Sequence, residues 1–304
     1  MSKPKTFGGY DNAVTEACER VLVTLLRGLG PWKDSVFLVG GLTPRYLVRA
    51  RPPEVPAHAG TGDVDVVVDL AILADTEAYR TLEENLRMMG FDRAENDEGR
   101  KQSWRWKTTL ETGTTMILEF LADDPERAGG KVQELPARGK VSALNIPHAS
   151  MVFDFYESAE ITAELLGDNG VVTETVRYAD VVSFTCLKAF AFESRFEPKD
   201  AHDLVYCLNH VEGGTEATIV AFSKALETGH RETILSALGL LATHFCDDEK
   251  NEGYRKDGPV AFAKFDADPG EDEEGGRDRR VLRQRRASAT VAAIVEPFLG
   301  ITTR

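Results

Sequence analysis

The sequence predicts an α/β (α+β) fold, a mixed sheet with flanking helices followed by a helical C-terminal region. Three observations carry this. An apolar strand at Ser35–Val39 runs into Gly40-Gly41 and a helical stretch, and a valine-alternating strand follows from Asp63. A second alternating run, Gln102–Thr108, is turned back by Glu111-Thr112-Gly113 into Thr114–Leu121, the pattern of a hairpin. Beyond Ala179 apolar residues recur at helical spacing nearly to the end of the chain.

Taken in order, Asp11–Leu29 places Val14, Cys18, Val21, Leu22 and Leu25 on one helical stripe, and the glycines and proline of Gly28–Pro31 stop it. After Gly40-Gly41 a helical run is expected over Thr43–Arg49, then a Pro/Gly-rich loop. In the next strand Val64, Val66 and Val68 point one way, and Asp63, Asp65, Val67 and Asp69 the other. Asp75–Met89 reads as a helix stopped by Gly90, and Phe91–Glu95 as a short strand before the hairpin. Residues 124–147 are rich in Gly, Pro and charge, and strand-like pieces follow at 151–156, 161–166 and 171–176. Two helices span Ala179–Leu208, with the break at Pro198, and further helices are expected over Ala217–Leu226, Arg231–Phe245 and Arg280–Leu299. The expected organisation is a core over 1–126, a connector with short strands over 127–178 and a helical domain over 179–304.

Composition narrows the setting. A hydrophobic content of 42% is ordinary for a globular chain, no run approaches a membrane span, and MSKPKTFGGY lacks the apolar stretch of a signal peptide. The scattered Cys18, Cys186, Cys207 and Cys246 suit reduced thiols, so a cytoplasmic protein is expected with no membrane partner. A net charge of −14 argues against indiscriminate nucleic-acid binding. The charge is uneven, however: six acids lie in Asp266–Glu274 and six arginines in Arg277–Arg286. That pattern describes either a solvated loop before a charged helix start or an arginine face for phosphates.

Several residues carry candidate chemistry. Asp63 and Asp65 share a strand face roughly 7 Å apart, a separation suited to gripping a divalent metal and also found in surface acids of a half-solvated strand. Glycines at 40 and 41 let the backbone approach a phosphate, at which a following helix aims its N–H groups. Glu119 lies between Leu118 and Phe120 with Ile117 and Leu121 on its own face, so it needs a cation, a metal or solvent; Asp123 and Asp124 sit in the following turn. Lys188, Arg195, Lys199, Asp200 and Asp203 fall where they could form a salt-bridge cluster pinning two helices. His202, His210, His230 and His244 show no metal-ligand spacing and read as ordinary helix residues.

In this order, Gly40-Gly41, Asp63-x-Asp65 and then Lys188-Ala189, Arg195 and Lys199-Asp200-x-x-Asp203-Leu204 resemble the AbiEii-type nucleotidyltransferases, which include the MenT-like toxins of bacterial toxin–antitoxin pairs. The match spans Phe37 to Leu208; it departs from the family pattern at Leu42, which stands directly after Gly-Gly where a hydroxyl residue is usual, with Thr43 next. The resemblance implies Mg2+ (or Mn2+) held by Asp63 and Asp65 with Glu119 as third carboxylate. It implies a nucleoside triphosphate held by Gly40, Gly41, Thr43, Lys188 and Arg195, and a role for Asp200 in activity. It further implies transfer of a nucleoside monophosphate to RNA, such as a tRNA 3′ end, and a cognate antitoxin partner. Two other classes stay open: an antibiotic-modifying nucleotidyltransferase acting on a small molecule, and a non-catalytic nucleotide-binding regulator, against which the intact aspartate pair speaks.

Overall fold

A computed structural model describes residues 4–78, 80–267 and 276–300. The chain divides into a sheet unit, Asp11–Thr43 with Gly60–Asp180, and a helical unit, Met1–Tyr10, Pro44–Ala59 and Val181–Arg304. The fold class is the expected one, mixed α/β with a parallel and antiparallel sheet, flanking helices and C-terminal helices.

The sheet unit opens with α1, Asn12–Leu29, whose first turn is capped by the Asp11 carboxylate accepting from the Ala13 N–H. Gly30 follows it at φ +61°, a conformation open to glycine, and a 3-10 turn over Gly30–Ser35 leads into β1, Val36–Val39, buried along its whole length. The chain then turns through a 3-10 segment, Gly40–Leu42, and enters α2, Pro44–Leu47. This single turn replaces the expected helix Thr43–Arg49. The Arg51 guanidinium donates to the Arg45, Val48 and Ala50 carbonyls, and Pro52 and Pro53 beyond it have no N–H to continue the ladder. Residues 44–59 belong to the helical unit, and the chain re-enters the sheet at Gly60.

Strand β2, Asp63–Val68, buries Val64, Val66, Val67 and Val68. Each fully buried valine contributes about 1.5–3 kcal/mol relative to exposure. The strand stops short of Asp69, expected on its face, because that carboxylate accepts from the Ala71 and Ile72 N–H groups and caps α3, Leu70–Asp75. The helix expected over Asp75–Met89 is shortened: α4, Leu82–Met88, begins at a Thr81–Glu84 capping box. The hairpin is as the alternation predicts, with β3, Asp92–Glu95, β4, Lys101–Thr109, and β5, Thr115–Ala122.

Residues 127–178 form no separate connector. They supply β6, Val132–Glu134, β7, Ser142–Asn145, β8, Tyr156–Glu164, and β9, Val171–Ala179, all in the same sheet. The residues around 151, read as a strand, instead form a 3-10 turn at Ala149–Phe153. The principal path is β3-β4-β5-β2-β1-β9-β8, with β2 antiparallel to β1 and parallel to β5. The strand-like pieces expected at 161–166 and 171–176 fall in β8 and β9, but β8 buries only Ile161 and so shows too little contrast between its faces to fix its start at Tyr156 or its pairing with β9.

The helical unit continues with α5, Val181–Arg195, and α6, Pro198–His210, separated by Phe196 at φ +51°. Then follow α7, Gly214–Ala225, α8, Arg231–Phe245, α9, Asp257–Phe265, and α10, Gly276–Leu299. Phe192, Leu204, Phe222, Leu238, Phe245 and Ile294 fill the space between them. Of the acidic run Asp266–Glu274, residues 268–274 lie outside the described residues. Among the described residues no helix is long and apolar enough to cross a membrane.

Candidate functional site

One row of residues crosses the centre of the sheet. Val39 on β1 pairs with Asp65 on β2, Asp65 with Glu119 on β5, and Glu119 with Arg105 on β4. Residues in register on neighbouring strands point to the same face about 4.8 Å apart, so Asp65 and Glu119 stand side by side, with Asp63 one pleat along. The other face of the same strands is closed: Val64, Val66, Met116, Leu118 and Phe120 are buried. All three carboxylate residues are half-buried at the rim of this core. The cation partner that Glu119 required is Arg105, whose Nε lies 2.9 Å from Glu119 Oε1. Alternation also sets Lys107, in register with Ile117, on this face.

The glycine turn meets the acids directly. Gly40 has φ +72°, and a Cβ built on it would lie 2.0 Å from Asp65 Oδ2. The position therefore requires glycine both for its backbone angle and for the carboxylate packed over it. We expect Gly40→Ala to cost more than the ~1–3 kcal/mol of a strained backbone residue alone. Gly30→Ala, with φ +61° and open space around its Cβ, should show only the backbone part. Urea denaturation of the two variants is the check, and equal losses would reject the close approach. Gly41 lies half-buried in the same turn. Thr43 is fully buried, and its hydroxyl has no hydrogen-bond partner, so it does not present that group to solvent as a phosphate ligand would.

Lys188, Arg195 and Asp200 lie in the helical unit and form a charged knot between α5 and α6. The Lys188 ammonium donates to Asp200 Oδ1 at 2.9 Å and Asp203 Oδ2 at 2.7 Å. Arg195 grips Asp200 with two bonds of 2.6 and 2.8 Å, and Lys199 donates to both oxygens of Asp203. Burial works against the Lys188 charge, but Asp200 and Asp203 outweigh it and raise its pKa. Burial likewise pushes the two carboxyls up, and Lys188 with its basic neighbours outweighs it, holding both below the usual carboxylate range. A buried lysine bonded to two aspartates ties α5 to α6 and has committed two of its three donors. This is the salt-bridge cluster between two helices that the spacing allowed.

The knot extends to a residue that sequence reasoning passed over. His58, in the proline-rich loop, places Nε2 2.9 Å from Asp203 Oδ1. Burial dominates that bond and lowers its pKa to about 4. Its ring packs on His202 and Tyr206, with centroids 5.3 and 4.9 Å away. His202 is thus no ordinary helix residue, but a spacing of 145 residues between His58 and Asp203 leaves no local motif to find. The four cysteines are buried and form no disulfide bond. No protein-family model matches the sequence, and it has no match among the curated proteins.

Proposed function

We propose that this chain is a metal-dependent nucleotidyltransferase, moving a nucleoside monophosphate from a nucleoside triphosphate to an acceptor hydroxyl, with RNA as the acceptor class. The observation that carries the reading is the row Val39–Asp65–Glu119, with the Asp65 carboxylate packed over the Gly40 turn. The donors are all oxygen, half-buried and on adjoining strands, the ligand chemistry that Mg2+ or Mn2+ takes. Asp65 and Glu119, in register on adjoining strands, would hold the ion with Asp63 drawn in from one pleat along, and the ion would neutralise charge on the transferring phosphoryl group.

The remaining roles belong to the chain itself. Gly40, without a side chain, lets the turn approach the triphosphate. Arg105 balances the Glu119 charge as its ion-pair partner. The acceptor oxygen bonds to the α-phosphorus as the bond to the β-phosphate oxygen breaks; pyrophosphate leaves, and the hydroxyl proton passes to a carboxylate of this face, Glu119 in our assignment. Lys188, Arg195 and Asp200 enter as the pin between α5 and α6, not as groups that touch substrate.

RNA as acceptor is supported by the start of α10, where Arg277, Arg279, Arg285 and Arg286 are exposed and the Arg285 guanidinium lies 4.4 Å from the Tyr254 ring centroid. Guanidinium and aromatic groups together suit phosphates and bases. A toxin role with a cognate antitoxin follows from the family resemblance alone. The test is incubation of the chain with each α-32P-labelled nucleoside triphosphate, Mg2+ and total tRNA. Label should move to RNA from one nucleotide with release of pyrophosphate. Pyrophosphate release without labelled RNA would replace RNA by a small acceptor, and no reaction with any of the four would sink the enzyme reading.

A further inference from the structure

Among the described residues one set of three ligating side chains brings its donor atoms within 4.8 Å of one another: His58, His202 and Asp203. We propose that these three form a second metal site, distinct from the carboxylate face and selective for a nitrogen-preferring transition-metal ion such as Zn2+ or Co2+. All three lie within the helical unit, so the site is independent of the nucleotidyl-transfer reading.

Two observations carry it beyond a chance cluster. The first is His202, 3% exposed, with neither ring nitrogen making a hydrogen bond. With Nδ1 facing Asp266, a buried imidazole whose Nε2 has no partner is costly, and an ion bound there removes that cost. The second is Asp266, whose Oδ1 lies 2.9 Å from His202 Nδ1 yet is itself buried without an aligned hydrogen bond. Metal-bound histidines are commonly oriented by a carboxylate at the nitrogen away from the ion. With Nδ1 turned to Asp266, the other nitrogen becomes the ligand atom.

The ion would take the place of the proton now shared between His58 Nε2 and Asp203 Oδ1, which are 2.9 Å apart. The rest of the cluster sets the metal class. Lys188 and Lys199 donate to Asp203 at 2.7–2.9 Å, so its carboxylate is already largely neutralised. Mg2+ demands several oxygen ligands and retains its water, and finds here one compromised carboxylate. Zn2+ and Co2+ bind imidazole nitrogen well enough to hold beside two ammonium groups. Three protein ligands leave a fourth tetrahedral position for water.

The experiment titrates the untagged 304-residue chain, stripped with a chelator, with Zn2+ or Co2+ by calorimetry and follows the visible d–d bands of Co2+. One ion per chain is expected at micromolar affinity or tighter, with millimolar Mg2+ failing to displace it. His202→Phe keeps a ring packed among Phe7, Phe262 and Phe265 and should weaken binding by about 100-fold or more; His58→Gln should do the same. Asp65→Asn should bind the ion like the parent, which separates this site from the carboxylate face. Absence of stoichiometric binding by the parent overturns the proposal, as does full affinity in either histidine variant. Circular dichroism verifies folding, and His58→Gln decides alone if His202→Phe does not fold.

Discussion

Asp65→Asn should reduce nucleotide transfer by about 10³-fold or more while leaving the sheet folded. The size follows from losing several kcal/mol of charge stabilisation at the transferring group, at about 1.4 kcal/mol per tenfold. The fold should survive because Asp65 is half-buried on the face opposite Val64 and Val66, and its loss removes one of the carboxylates crowded beside Gly40, Asp63 and Glu119. Relief of that repulsion should hold the melting temperature or raise it. Asp69→Asn is the matching control. Asp69 caps α3 and has no place on the acid face, so its variant should transfer nucleotide normally and show any loss, on the order of 1 kcal/mol or less, only in stability. Transfer at the parent rate by Asp65→Asn would remove the carboxylate face from the chemistry.

Asp203→Ala should lower unfolding stability by about 3–5 kcal/mol, the scale of leaving a buried charge uncompensated. Asp203 is fully buried and accepts from Lys188, Lys199 and His58. Without it Lys199 loses the carboxylate it bonds twice, and Lys188 keeps only Asp200. Lys188→Met should also destabilise, by leaving two buried carboxylates with fewer donors, and should barely change nucleotide affinity. Urea denaturation beside calorimetric titration with a nucleoside triphosphate separates the outcomes. Weakened nucleotide binding at unchanged stability in Lys188→Met would return that lysine to a phosphate role.

What could be read from the sequence was local. The valine alternation of β2, the β4/β5 hairpin and the α5/α6 break at Pro198 all depend on neighbours within a few residues, and their periods show them. Asp63 and Asp65 were visible for the same reason. Where a side chain competes with the backbone, the period misled: Asp69 ends a strand by capping a helix, Thr81 starts a helix late, and Arg51 with two prolines cuts α2 to one turn. The partner of Glu119 needed a register, since any cation on β4 could have faced it until the pairing selected Arg105. The His58–Asp203 contact needed the whole fold.

The excursion of residues 44–59 out of the sheet unit bears on how the chain is made. Its anchors on α6 are distant in sequence: His58 meets Asp203 across 145 residues, and the Pro56 carbonyl accepts from the Tyr206 hydroxyl across 150. At ribosomal rates of about 5–20 residues per second, these anchors emerge about 7–30 s after the loop does. For that interval β1 and β2 can pair while the segment joining them has nothing to dock on. Translation speed from Gly60 through to Tyr206 therefore sets how long the proline-rich loop stays exposed to proteases and chaperones on the nascent chain.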